Sequence, residues 1–579
     1  MNKLFRNIIN ASLAVSLFIP LTGCLEEAFP EDDSASKEQL EDADKKGLFS
    51  AIPAYMLTCS DDNYCDIGFP GFGIWRDTMT PDFPVKSTSY DYFTEYASLS
   101  YMGNWAIQTM FWRRYYYMIQ KTSTVLSVSD RNPDGEDAYY VGNALGFRAW
   151  AYMDLGRLYE FRPTGVPELD EIAESRGLYG LTVPIVTEIT TDAESRKLFR
   201  VPFYELNRFI MNDLNEAERC LENHRTAPSK DQMGLGVIYG LKARMWLELG
   251  SRFDRHAEDL QQQLSYENDP EAEKYDKLAI ANAADCYRNA AEYARKAYSM
   301  GYSPLTRSQW YDPVNGFNTP NNSWMWCTII SSDNKLATTY VWQSFVSFMS
   351  PEASYGVSSL DFGSYHMIDA RLFSGIDACD WRRDTWIAPD EAGSLSAYDS
   401  KYSKTTSYPY NTWKKFEAYA GFKFHPAGGD GSTSTNGNAV SIPFMRVEEM
   451  YLIEAEAVAR TQGAAAGKAL LENFMNSYRT DGTYSFASTQ LDDVIDEIFK
   501  QKRIEFWGEG VVAWDFRRLE KAVIKGYPGT NHPETYRYNS YEGYVAPWTN
   551  IYIPDRVQNL NSNIKLNPDP SGCLPLWKE

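Results

Sequence analysis

Residues 46–579 predict an all-α body of paired helices, and three observations carry that prediction. Apolar residues recur at three- and four-residue steps over long segments, and small residues stand where two such segments would touch. Between them lie long irregular stretches rich in Trp, Tyr, Gly, Pro and Asn. Helix, short turn and second helix follow one another in the manner of a tetratricopeptide array, although the repeat period is poorly kept.

The chain opens with Lys3 and Arg6, an apolar run Ile8–Leu21 and then Leu21-Thr22-Gly23-Cys24. A basic start, a short apolar core and small residues before a cut read as a secretory signal over 1–23; a spanning helix would need about 20 apolar residues. Cys24 after a small residue is the lipobox pattern, in which the cysteine is acylated and becomes the mature N-terminus. Acyl chains there would hold the protein to a membrane at about 0.8 kcal/mol per buried methylene. Residues 24–45 are acidic and poor in large apolar side chains, which fits a flexible tether.

Helical periodicity then appears in order. Leu99–Val128 carries Trp105, Gln108, Trp112, Tyr116 and Ile119 on one stripe, and Asn143–Glu160 carries Leu145, Ala149, Tyr152 and Leu155 with small residues between. Val201–Leu221, Met233–Leu249 and Ala279–Met300 repeat the pattern. Phe444–Ala457 keeps a stripe through Met450, Ile453 and Ala457, and Asp492–Trp507 keeps one through Val494, Ile498, Gln501 and Glu505. Thr58–Ser98 and Tyr302–Ser441 are predicted to be irregular, and loops of that length are usually functional. The body divides into an N-terminal part of about 46–300 and a C-terminal part of about 301–579.

Composition excludes several classes. Removing residues 1–23 takes the net charge from −22 to −24, which repels phosphate backbones and argues against a nucleic-acid partner. With Cys24 lipidated, seven of eight cysteines remain, too scattered for a stapled scaffold. Cys59 and Cys65 are close enough to pair, whereas Cys220 and Cys286 read as packed thiols. There is no CxxC pair for zinc, no HExxH and no cofactor motif; Gly71-Phe72-Gly73 reads as a turn. The aromatic share is 15%, with 16 Trp, 40 Tyr and 29 Phe. Flat rings suit sugar faces, although they also fill cores.

Five segments together resemble the SusD/RagB family of Bacteroidetes outer-membrane lipoproteins. Phe147–Tyr159 is similar to the family's RAWAYFDLVRLYG helix, and Leu181–Val186 to the GVPLVT that follows. Phe444–Ala457 resembles IRYAEVYLMYAEA, Arg503–Leu519 resembles ERRIELAFEGHRWFDLRRW, and Ile551–Pro554 with Asn561 and Asn567-Pro568 resembles the closing tail. Gln501-Lys502-Arg503 departs from the pattern by lacking the usual Glu, and the tail lacks its final Gln and Gly-Tyr. The resemblance implies a SusD-like fold with four tetratricopeptide-like helix pairs as scaffold and long loops as ligand face. It also implies a SusC-like TonB-dependent transporter as partner and an oligosaccharide or polysaccharide as ligand; a RagB-like branch serves peptide import. Glu26 and Glu27 resemble the acidic signal that sends such lipoproteins to the outer face, so the expected place is the outer membrane, facing the exterior.

Within the family, ligand contacts come from the segment after the first helix and from mid-chain loops. In this chain that points to Trp75, Tyr92, Trp324 and Trp342 as stacking rings and to Asp61, Asn63 and Arg76 as hydrogen-bonding partners. Asp66, Asp77 and Asp82 lack the alternation of a calcium loop. Arg503, Glu505, Glu509, Asp515 and Arg517 contain the carboxylate pairs that an all-helical glycoside hydrolase would need. Their dense helical placement suits structural ion pairs better, so the expected protein is a binder without catalytic residues. Trp150, Trp246, Trp507 and Trp514 read as core.

Overall fold

A computed structural model describes residues 45–59, 66–86, 91–96, 98–130, 133–222, 229–338, 344–359, 363–393 and 417–579. The signal, Cys24 and the tether, as well as Cys65, lie outside these, so the Cys59–Cys65 pairing does too.

The first helices are α1 (Lys45–Tyr55), α2 (Phe69–Thr78), α3 (Ala106–Ser127) and α4 (Gly135–Tyr159). Helix α3 starts later than its periodicity predicts because residues 98–105 are tied to the chain's end: Gly572 N–H donates to Leu99 O at 3.0 Å and Asp555 N–H to Asn104 Oδ1 at 3.2 Å. Helix α4 is buried on every side from Tyr140 onward, so its Arg148, Asp154 and Arg157 are paired with Asp213, Arg76 and Glu248. Its glycines make this possible. A Cβ on Gly146 would stand 2.7 Å from Ile238, and one on Gly142 2.7 Å from Leu221.

Those two neighbours belong to the next helices, α5 (Phe203–Leu221) and α6 (Leu235–Arg255), which are followed by α7 (Ala283–Tyr298). Helix α7 begins on a reciprocal cap in which Asn282 Oδ1 accepts from Asp285 N–H and Asp285 accepts from Asn282 N–H. After Cys286 and Tyr287 its buried face is Ala290, Ala291, Ala294 and Ala297, small enough to let that part pack closely. Strands β1 (Trp324–Ile329) and β2 (Ser441–Arg446) pair antiparallel, with Trp324 opposite Arg446 and Cys327 opposite Pro443. They lead into α8 (Val447–Gln462), α9 (Ala464–Tyr478), α10 (Leu491–Glu505) and α11 (Val512–Arg518).

Consecutive helices pack in pairs, α3 on α4, α6 on α7 and α8 on α9, and α5 also lies on α4 and α7 on α8. The architecture is all-α, as predicted, and the described residues add one two-stranded ribbon that the sequence did not predict. Three expectations are corrected. Residues 444–446 are strand, not helix, because Met445 and Arg446 pair with Trp326 and Trp324 of β1, and Arg446 then caps α8. Gly71-Phe72-Gly73 is no turn but lies within α2, which starts after Gly68 (φ 72°) with Pro70 in its first turn. Thr58–Ser98 and Tyr302–Ser441 accordingly hold regular elements. Trp150, Trp246 and Trp507 are core and Trp514 half-buried; Cys286 is buried and Cys220 half-buried. No helix of the described residues is long and apolar enough to cross a membrane.

Candidate ligand face

Helix α2 decides the fate of two predicted contacts. Trp75 is 0% exposed, its ring 4.4 Å from that of Phe111. Arg76 is buried beside it, donating from Nε to Gly510 O at 2.8 Å and from Nη1 to Asp154 Oδ2 at 3.3 Å. Trp324 is likewise 0% exposed, on β1. All three are therefore interior residues that offer no open ring or donor to a ligand, because regular structure turns them inward where an irregular loop was expected. Asp61, Asn63 and Trp342 lie outside the described residues. Tyr92 is half-buried at the start of the helical turn Tyr92–Tyr96.

That turn sits where several segments converge. Asp91 accepts from Thr94 N–H at 3.2 Å and from its hydroxyl at 2.9 Å, and lies 3.0 Å from His366 Nε2. The His366 ring stacks on Phe83 at 4.1 Å, and Phe93 meets Phe348 edge-on at 4.8 Å. Met367 N–H donates to Pro84 O at 2.7 Å, and bridges join Met367 to Ala420 and Trp386 to Gly421. The structure thus brings the Tyr92 segment against residues 344–349, which begin two positions after Trp342. Convergence of these distant stems had no signal in the sequence, since apart from Asp91 and His366 the contacts are made by the backbone or by ordinary apolar side chains.

A charge network lies in the scaffold, and it consumes the carboxylates that hydrolysis would need. Glu505 accepts from Arg382 at 2.8 Å, from Arg446 at 3.0 Å and from Arg479 at 2.7 and 2.9 Å. Burial pushes its carboxyl up, but Arg479, Arg446 and Arg382 outweigh burial and hold it well below the usual carboxylate range. Glu509 takes Arg446 at 2.8 Å and Lys423, whose ammonium burial lowers to about 8. Asp515 is held by Lys502 at 2.8 Å and Arg518 at 2.7 Å. Arg503 binds Asp82 at 2.9 Å, and Arg517 donates to Glu160 O at 2.6 Å. The interior gap beside Arg157, Glu248, Glu509 and Asp515 measures about 40 Å³, room for little more than water. Arg382 and Lys423 were invisible as network members because they come from the mid-chain stretch.

Asp66, Asp77 and Asp82 do not gather around one point. Asp66 binds Arg114, Asp82 binds Arg503, and Asp77 accepts from Gly510 N–H at 2.8 Å. No cluster of three metal-ligating side chains occurs among the described residues. Burial pushes Asp77 up to about 8. An acid raised in the folded state stabilises most below its unfolded pKa of about 3.9 and loses that contribution as pH rises toward 8. Asp77→Asn mimics the protonated form, so its stability relative to the parent should grow between pH 4 and 9, reaching about 2 kcal/mol or more. Urea unfolding at the two pH values measures this; a pH-independent difference would contradict it.

The SusD family model matches residues 284–569. A SusD-like carbohydrate-binding protein from Bacteroides vulgatus superposes with a TM-score of 0.64 at 17% identity, covering 90% of this chain and 96% of that one. A SusD-superfamily protein from Bacteroides thetaiotaomicron gives 0.61 at 17% identity, covering 91% and 100%. A laminarin-binding SusD-like protein gives 0.57 at 15% identity, covering 90% and 98%. No curated protein matches the sequence.

Proposed function

We propose, for a chain that carries the SusD family's sequence over residues 284–569 and a SusD-like fold over 90% of its length, that it captures oligosaccharide at the cell surface and passes it to a SusC-like TonB-dependent transporter. The observation that carries this reading is the convergence of the stems around Tyr92, where segments far apart in sequence pack their buried rings beneath the half-buried Tyr92. Carbohydrate binding by SusD-like structures, one of them laminarin-binding, supports the ligand class. Binding without turnover is supported by Glu505, Glu509 and Asp515, each spent on guanidinium or ammonium partners. Cys24 anchors the body by lipid, and Glu26 and Glu27 direct it to the exterior of the outer membrane. Asp61, Asn63, Tyr92 and Trp342 are the proposed contacts.

Calorimetric titration of the full-length chain with laminarihexaose, maltohexaose and a defined peptide pool tests this. Tyr92→Ala and Trp342→Ala should each weaken sugar binding about five- to tenfold, the worth of one stacked ring. No new reducing ends should form. Unchanged affinity in both variants removes the site, heat from peptides alone transfers the cargo to peptide, and released reducing ends make the protein an enzyme.

A further inference from the structure

Away from the loop face, the ends of α4, α5 and α6 and the helical segment Ala257–Tyr266 border a cleft of about 230 Å³. Its apolar lining is the buried pair Phe161 and Phe203. Tyr179 forms one wall at 43% exposure, its ring 5.8 Å from that of Phe161. Arg252 lies over Phe203 at 3.5 Å, fixed there by Glu160 at 2.7 Å and Asp259 at 2.6 Å. Arg162, His256, Glu258 and Gln262 supply polar groups around it, with the Glu258 side chain 73% exposed.

Two further features mark this cleft as built. Glu520 supports it from a left-handed backbone conformation, φ 51°, which a non-glycine residue holds only when its surroundings impose it. From there it accepts from His256 at 2.6 Å and pairs with Arg162. Tyr541 and Tyr544 stand 48% and 41% exposed beside the adjoining turn at Gly165, where a Cβ would lie 3.2 and 3.0 Å from their rings. Gly543 N–H donates to Glu520 O at 2.9 Å and Val545 N–H to Pro163 O at 3.2 Å, which ties that tyrosine pair to the cleft.

The chemistry selects a ligand. The acids Glu160, Glu258 and Asp259, with Glu520 behind them, outnumber Arg162 and Arg252, so the cleft repels a phosphate or a carboxylate terminus. An aromatic wall beside fixed donors and acceptors matches a molecule with one apolar face and a hydroxylated rim. We propose that this cleft is a second carbohydrate site, taking one neutral pyranose unit against Tyr179. It shares with the loop-face reading only the class of ligand.

Saturation-transfer NMR on the full-length chain with D-glucose, laminarihexaose and a defined peptide pool tests it, using the parent, Tyr179→Ala, Tyr179→Trp and the loop-face variant Tyr92→Ala. Tyr179 is exposed, so both of its variants should fold. Tyr179→Ala should remove at least four-fifths of one saturation component that Tyr92→Ala leaves intact, and Tyr179→Trp should retain it. A signal insensitive to Tyr179→Ala overturns the second site while leaving the loop-face reading standing. A Tyr179-dependent signal from a peptide and not from either sugar overturns the ligand class. Loss in Tyr92→Ala alone confines binding to the loop face and also overturns the proposal.

Discussion

Glu505→Ala is expected to cost at least about 3–5 kcal/mol and to leave little cooperatively folded protein at growth temperature. Removing one partner of a buried ion pair costs that much because the other charge stays behind uncompensated. Here one carboxylate serves Arg382, Arg446 and Arg479, all fully buried, so three guanidiniums would be left short of an acceptor at once. Native domains hold only about 5–15 kcal/mol in total, so the loss is a large fraction of what exists. Glu505→Gln preserves shape and one acceptor oxygen and should fall between the two. Acid dependence supplies a second readout. A carboxyl held below its ordinary pKa contributes fully above about pH 4.3 and loses that contribution as pH falls through its folded value. The parent should therefore lose stability steeply in acid, and the Gln variant less so. A loss under about 2 kcal/mol in urea unfolding of Glu505→Ala would show that the guanidiniums are satisfied by Glu448, Glu509 and Asp380 alone.

The helices were legible wherever an amphipathic stripe repeats, as in Phe203–Leu221, whose buried Leu206, Ile210, Leu214 and Ala217 keep the period. Helix α4 was legible from its small residues from Asn143 on, but it begins at Gly135, in a first turn that is largely exposed and so carries no apolar stripe. What failed was the use made of aromatics. Trp324 and Trp326 read as loop residues because β1 is buried almost throughout, which erases the alternation that marks a half-exposed strand. Trp75 read as a ligand ring because its helix is only ten residues long and begins after a left-handed glycine. The charge network was legible at one end only: Arg503–Leu519 showed dense ion-pairing residues, but its partners Arg382, Lys423 and Arg446 come from elsewhere, and sequence proximity says nothing about them. The cleft beside Tyr179 left no local signature, since its lining comes from several helix ends and the loops between them.

Arg114→Met is expected to weaken oligosaccharide binding at least tenfold while the chain remains folded, because Arg114 fastens both stems of the segment 60–65. On one side its guanidinium pairs with Thr58 Oγ1; on the other, Nη2 donates to Asp66 Oδ1 at 2.6 Å and Oδ2 at 2.7 Å, and Nε to Oδ1 at 3.0 Å. Phe69 N–H to Met56 O at 3.1 Å closes the same crossing. Asp61 and Asn63, proposed to meet sugar hydroxyls, lie on the chain between those stems. Fixed stems reduce the ordering entropy that binding must otherwise supply, so their release should appear as lost affinity. Stability should fall too, by about 3–5 kcal/mol, since Asp66 would be left buried, with Arg113 at 3.9 Å as its remaining cation. Titration well below the variant's melting temperature separates the two effects. Arg114→Lys discriminates further: one ammonium cannot reproduce the planar fork that spans Thr58 and Asp66, so it should recover part of the stability and little of the affinity. Full affinity in Arg114→Met would place the hydrogen-bonding partners of the ligand outside residues 61–63.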